Sequence, residues 1–272
     1  MDEKTIIRAF GVTDIGRVRR HNEDAIHLAV DQGYVLVADG MGGHNAGEVA
    51  SALAIAGFTQ FLAQDHDSDD TVAEMSEFST QTLALRNAIY CANTKIYRDA
   101  QRNTERKGMG TTIVSASFEG ARLAVAHVGD SRLYRFREGY LTQLTSDHTL
   151  VQEMLDRKEY SEEEARNSSN KNVITRALGL ADIVDVDLLE ELLREGDLYL
   201  LCSDGLTGMV EDAQIAAVLA SCDSQPEAAA VKLLGMANNS GGNDNISIIV
   251  VCVDKVVAGQ ESASDEELDW FD

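Results

Sequence analysis

The chain has 272 residues, 44% of them hydrophobic, which is enough for one large domain or two small ones. A net charge of -23, from 46 acidic and 23 basic residues, argues against a nucleic-acid backbone or an anionic membrane as partner and favours divalent cations and basic partners. No apolar run reaches about 18 residues, the start "MDEKTIIRAF" has no secretory apolar region, and the four cysteines form no C-x-x-C pair. A cytoplasmic protein with reduced thiols is therefore expected.

Strand-like runs open the chain: "TIIRAFGVTD", "AIHLAV" and "YVLVAD", with "DQG" as a turn between the last two. From Ala46 the period changes, and "AGEVASALAIAGFTQFLAQ" places small and apolar residues at helical spacing. "DHDSDDT" (65–71) reads as a charged loop offering N-caps to a long helix over about Val72 to Asn103. That helix has Met75, Phe78, Leu83, Leu85, Ile89 and Ile96 for its buried side. Strands return at "TTIVSASFEG", "ARLAVAHVGD", "SRLYRFREG" and "YLTQLT", with hairpin turns at "FEGAR" and "REGYL".

The segment 146–172 reads as a surface insertion: a short amphipathic helix, "TLVQEMLDRK", then the polar stretch "EYSEEEARNSSNKN". "NVITRALG", "VDVDLLEELL" and "DLYLLCSDG" follow. Two helices are expected next, one over about Glu211 to Ala220 and one starting at Pro226, where proline suits a first turn. The last strand is "ISIIVVCV". Residues 256–272 form an acidic tail expected to be disordered, with Trp270 and Phe271 available to dock. Strands joined by hairpins, with paired helices between groups of strands, predict antiparallel sheets covered by helix pairs: an α+β catalytic domain over 1–255.

Four apolar strands touch an aspartate in a glycine-flanked context: Asp39 in "YVLVADG", Asp130 in "AVAHVGD", Asp204 in "LYLLCSDG" and Asp244 in "GGNDNISIIV". A single Asp-Gly is an ordinary turn. Four such carboxylates gathered together would repel one another unless cations neutralised them. Hard divalent ions such as Mg²⁺ and Mn²⁺ take oxygen ligands of this kind, and glycine beside the Asp lets a backbone carbonyl join them. No Cys/His cluster with zinc spacing is present. "GMGGHNAGE" lacks the Gly-Lys-Ser/Thr ending of a P-loop and the spacing of a dinucleotide fingerprint.

Eight segments, in order, resemble the metal-dependent serine/threonine protein phosphatases of type 2C, and look most like their compact bacterial members. They are "TDIGRVRRHNEDA", "VADGMGGHNAGEVAS", "GMGTTIV", "AHVGDSRLY", "LTSDHTL", "ITRALG", "LCSDGLTGMV" and "GGNDNISIIVV", from about Thr13 to Val253. The resemblance implies a four-layer α-β-β-α sandwich, with two antiparallel sheets face to face between helix pairs. It implies a binuclear Mn²⁺ or Mg²⁺ centre in which Asp39 bridges and the Gly40 carbonyl, Asp204 and Asp244 complete the ligands. Asp24 would hold metal-bound water from the outer shell. Asp130, with Asp204, would serve a third, weaker metal.

Arg19, five residues before Asp24, would bind the substrate phosphate through a bidentate fork, and His44, five residues after Asp39, would protonate the leaving oxygen. A hydroxide bridging the metals would attack phosphorus in line, with no covalent phosphoenzyme. The segment 146–172 matches the family's mobile flap. The expected partners are phosphoserine and phosphothreonine proteins and a cognate serine/threonine kinase system, for a monomer acting in signal transduction. Two rivals are a regulatory module that senses metal or a phosphorylated partner without turnover, and a phosphatase of small metabolites. Intact Asp39, Asp204, Asp244 and Arg19 favour the enzyme over the first; kinetics on both substrate kinds separate the second.

Overall fold

The computed structural model describes residues 4–42, 46–64, 76–168, 170 and 173–257. Eleven strands run in chain order: β1 Ile6–Asp14, β2 Asp24–Ala29, β3 Tyr34–Met41, β4 Gly110–Thr111, β5 Ile113–Glu119, β6 Arg122–Val128, β7 Arg132–Arg137, β8 Tyr140–Gln143, β9 Asp187–Leu192, β10 Leu198–Cys202 and β11 Ile246–Lys255. The helices are α1 Ala46–Leu62, α2 Thr80–Arg102, α3 Leu150–Asp156, α4 Glu162–Asn167, α5 Asp204–Thr207, α6 Asp212–Ser221 and α7 Pro226–Asn239. One sheet has the order β1-β11-β10-β7-β8 and the other β2-β3-β5-β6-β9, with β4 paired to β3. All the pairings within them are antiparallel.

The period of two along β3 explains why the sheets stack. Tyr34, Leu36 and Ala38 face α1 and α2, where they meet Ala50, Ala54, Phe58, Ile89 and Ile96. Val35 and Val37 point the other way, into the layer between the sheets with Val114, Val125, Leu201 and Ile249. Strand β11 alternates likewise. Its Ile249 and Val251 fill the layer between the sheets, while Ile248 and Val250 pack against Ile215, Leu219 and Leu233 of α6 and α7. A strand that is apolar on both faces must be covered on both, so the order of layers is helix, sheet, sheet, helix. The predicted α+β sandwich is the observed one.

Two segments differ from the sequence expectation. The long helix starts at Thr80, not near Val72: Ser79 caps it by accepting from Thr82 N at 3.3 Å. Glu190 of β9 accepts from Ser79 N and Oγ at 2.7 and 2.6 Å, which pins that start to the sheet. Phe78 therefore precedes the helix, and the charged loop at 65–71 lies outside the described residues with Met75. In the segment 146–172, α3 is the expected short helix, but the polar stretch after it also forms α4. The Ser161/Glu164 capping box gives α4 its start. The tail from 258 onward, with Trp270 and Phe271, lies outside the described residues.

Candidate active site

Both sheets deliver carboxylates to one end of the sandwich. Asp24 opens β2 and sits directly across from Asp39, which lies inside β3 and not at its end. Asp130 follows β6, Asp204 is the first residue of α5 just beyond β10, and Asp244 precedes β11. Asp24 and Asp204 each lie within hydrogen-bonding reach of Asp39, and Asp39 also feels the charges of Asp130 and Asp244. The structure thus brings all five together.

The backbone around them is fixed. Asp39 N donates to Thr112 Oγ1 at 3.1 Å, and Asp39 O accepts from Thr112 N at 2.9 Å and Thr111 Oγ1 at 2.8 Å. With its main chain satisfied, the Asp39 side chain has only the cleft to face. Gly40 N donates to Glu23 O at 3.1 Å, and a Cβ at Gly40 would overlap the carbonyl oxygens of Glu23 and Gly47. Glycine is required there because β2, β3 and the start of α1 close on one point.

The electrostatics are those of carboxylates crowded together without enough basic side chains to balance them. Burial, reinforced by Asp24, Asp204, Asp130 and Asp244, holds the Asp39 carboxyl well above the usual carboxylate range. Burial pushes Asp24 up to about 6, despite hydrogen bonds from Ser247 and Ser203. Burial and then Asp204 and Asp147 push Asp130 up to about 7. Burial and Asp244 raise Asp204. Asp24 and Asp130 are only 9% and 7% exposed, yet Asp24 Oδ1 and Asp130 Oδ1 have no hydrogen-bond partner. Carboxylates converging from two sheets, with a buried oxygen left unpaired on Asp24 and on Asp130, fit a pair of hard divalent cations and do not fit a soft metal.

Arg19 lies at the rim, half-exposed, with Nη2 2.6 Å from Asp244 Oδ2. That single contact leaves the rest of the guanidinium fork for another anion. His44 falls outside the described residues. Two residues escaped the sequence reading. Glu23, one position before Asp24, has a carboxyl raised by burial and interacts with Arg19 and Asp244; its signal was simply the acidic pair in "NED".

Asn245 is the other. Its Oδ1 accepts from Glu23 N at 2.8 Å, and its Nδ2 donates to Ile15 O and His21 O at 3.0 Å each. It therefore ties down the loop that carries Arg19. Nothing in a lone Asn after an Asp marks that role.

These features agree with a family. The model for protein phosphatase 2C matches residues 16–233. The chain belongs to the protein phosphatase 2C family. It is 39% identical over 254 residues to the serine/threonine phosphatase stp of Listeria monocytogenes, with 92% of this chain and 98% of that protein covered. It is similar to the crystal structure of Stp1 from Staphylococcus aureus, with a TM-score of 0.82, 33% identity, and 94% and 98% of the two chains covered. It is also similar to the PstP catalytic domain in complex with two manganese ions, with a TM-score of 0.79, 34% identity, and 93% and 100% covered.

A second polar group, His127 of β6, His148 just before α3 and Asp187 of β9, has its ligand-type atoms within 4.8 Å of one another. Its geometry is that of a clasp. The rings stack at 4.6 Å with 27° between planes, so their in-plane lone pairs do not converge. His127 Nε2 lies 3.0 Å from Ser146 O, and His148 Nδ1 accepts from Gly129 N at 3.0 Å. His148 Nε2 is 3.2 Å from Asp187 Oδ2, while Arg176 Nη1 takes Asp187 Oδ1 at 2.6 Å. Burial pushes His148 down to about 4 and lowers His127, so both rings are neutral near pH 7.

Proposed function

We propose that this family member is a serine/threonine protein phosphatase that hydrolyses phosphoserine and phosphothreonine monoesters in proteins and opposes a cognate serine/threonine kinase. The observation that carries the reading is the convergence of Asp39, Asp24, Asp130, Asp204 and Asp244 with buried carboxylate oxygens left unpaired. Asp39, the Gly40 carbonyl, Asp204 and Asp244 are the residues to hold two Mn²⁺ or Mg²⁺ ions. Asp24 keeps one oxygen on Ser203 Oγ at 2.8 Å and offers the other to a water. Asp130 and Asp204 are the residues for a third, weaker ion. Such cations, when bound, lower the pKa of a water between them and offset charge on the phosphoryl oxygens.

The remaining steps belong to the chain. Arg19 holds the phosphoryl oxygens with the donors not used on Asp244 and stabilises the charge they gain. Arg19, beside cations that the carboxylates would hold, orients the ester so that water, having given up one proton to solvent, enters opposite the serine or threonine oxygen, and the new P–O bond forms as the ester P–O bond breaks. The departing alkoxide is a poor leaving group, and His44 supplies the proton that converts it to the alcohol. The flap from 146 to 172 sets access to this cleft.

Among the described residues, no helix is long and apolar enough to cross a membrane. The proposed setting is a monomer acting in the cytoplasm on signalling phosphoproteins. The test is phosphate release from a phosphothreonine peptide with Mn²⁺, with and without chelator. Release that stops with chelator is expected; no release at saturating Mn²⁺ would leave a non-catalytic binding module.

A further inference from the structure

Asp130 reaches the cleft from the turn between β6 and β7, not from a strand. Gly129 before it has a φ of +108°, in the left-handed region, and a Cβ there would overlap the Thr112 side chain. Asp130 Oδ1 is buried and has no hydrogen-bond partner among the described residues. The direction of the carboxylate therefore depends on how the main chain around it is held.

After Asp130 the chain is held by ordinary pairs. Ser131 Oγ is 2.7 Å from Thr112 Oγ1, and Arg132 forks onto Asp147 through Nε and Nη2 at 2.6–3.0 Å. Before Asp130, both polar groups of Gly129 go to one residue. Gly129 N donates to His148 Nδ1 at 3.0 Å, and Gly129 O accepts from His148 N at 3.0 Å. His148 is only 3% exposed. Because Nδ1 accepts, the neutral ring carries its proton on Nε2, which faces Asp187 Oδ2 at 3.2 Å. Behind it Arg176 holds Asp187 Oδ1 at 2.6 Å, and Thr175 N donates to His148 O at 2.9 Å. His127 stacks on the ring and restrains its rotation. His148 thus stands between the turn that carries Asp130 and the chain that returns from 146–172.

We propose that His148 is a positioning residue: by binding both main-chain groups of Gly129, it aims the Asp130 carboxylate toward Asp204 and the cation centre. The proposal rests on the reading of that centre given above. Histidine suits the place because one side chain must accept from an N–H on one side and present a proton to a carboxylate on the other. Lysine and arginine have no acceptor, and a second carboxylate would repel Asp187.

The two ring nitrogens can be replaced one at a time. His148→Asn puts an amide oxygen at the Nδ1 position. His148→Gln puts its amide near the Nε2 position and leaves Gly129 N without an acceptor. The first measurement is the melting temperature of the full chain in EDTA at pH 8. Adding Asp130→Asn should raise it by about 2–4 °C in the wild type and in His148→Asn. The gain should be under about 1 °C in His148→Gln, where Asp130 is free to turn to water. The second measurement is turnover of a phosphothreonine peptide with Mn²⁺, per folded molecule. His148→Gln should lower kcat about tenfold or more, and His148→Asn should keep most of it. In the Asp130→Asn chain, His148→Gln should cost nothing further.

A histidine with a merely structural role would lower the melting temperature in both variants and leave turnover and the Asp130→Asn gain unchanged. That result would overturn the proposal. So would an equal loss of turnover from His148→Gln with and without Asp130→Asn, or no gain from Asp130→Asn in the wild type. If His148→Gln does not fold, Asp187→Asn takes its place, with the same pattern expected at smaller size and the same results overturning it. No phosphate release by the wild type at saturating Mn²⁺ would overturn the protein-phosphatase reading instead. The melting temperatures need neither metal nor substrate and would still decide the role of His148.

Discussion

Strand β10 is flanked by two acids with opposite environments. Asp197, at its start, is 2% exposed, and its oxygens accept from Arg137 Nε at 2.7 Å, Arg137 Nη2 at 2.6 Å, Arg194 N at 2.8 Å and Tyr199 Oη at 3.2 Å. Asp204, beyond its other end, meets Asp39, Asp244, Asp130 and Asp24, with Arg19 and Arg132 only at longer range. Burial is common to both ends of the sandwich. What separates the structural acid from the candidate functional one is whether the chain supplies the opposing charge.

That contrast breaks most directly at Asp39. Asp39→Asn should abolish Mn²⁺ binding by calorimetry and lower kcat/KM by about a thousandfold or more. Full activity at saturating Mn²⁺ would remove Asp39 from the centre. At the other end, Asp197→Ala should cost about 3–5 kcal/mol in denaturant unfolding, because Arg137 loses its buried partner. Turnover per folded molecule should not change. A loss of catalysis without loss of stability would mean the two ends are not separate.

Asn245→Ala sharpens the comparison within the site. It removes no charge but frees the loop that carries Arg19, so kcat/KM should fall about 10–100-fold while Mn²⁺ still binds. A loss of Mn²⁺ affinity with an unchanged KM would assign Asn245 to Asp244 and not to Arg19.

The smallest effect is a gain. Asp130→Asn takes an unpaired charge out of the metal-free protein and should raise its melting temperature in EDTA by about 2–4 °C at pH 8, while lowering turnover with Mn²⁺. The sign with pH follows. A carboxyl at about 7 when folded, against 3.8 otherwise, binds more protons in the folded state. The metal-free wild type should therefore lose stability relative to Asp130→Asn as pH rises from about 4 to about 7. A difference that is flat with pH would place Asp130 in water.

Much of this was legible in the chain itself. Residues with a period of two in "YVLVAD" and "ISIIVVCV" gave both faces of the central strands, and the Asp-Gly contexts marked Asp39 and Asp204. What stayed hidden depends on long-range pairing. "REGDLYLLCSDG" holds both Asp197 and Asp204, and nothing local says that Arg137 will reach one and no arginine the other. The one-turn helix α5 and the capped helix α4 are too short for periodicity to register. Asn245 acts through three backbone partners, Ile15, His21 and Glu23, that are more than two hundred residues away in the chain.

The pinning of Asp39 has one more consequence. Strand β3 is bonded to β2 on one side and to β4 and β5 on the other. The carboxylate therefore has no slack with which to drift from its neighbours when the centre empties. If Asp39 holds cations as proposed, vacating the centre would cost electrostatic repulsion and little rearrangement, and refilling it would need no refolding step. On the proposed reading, turnover would then follow the free divalent ion in the medium.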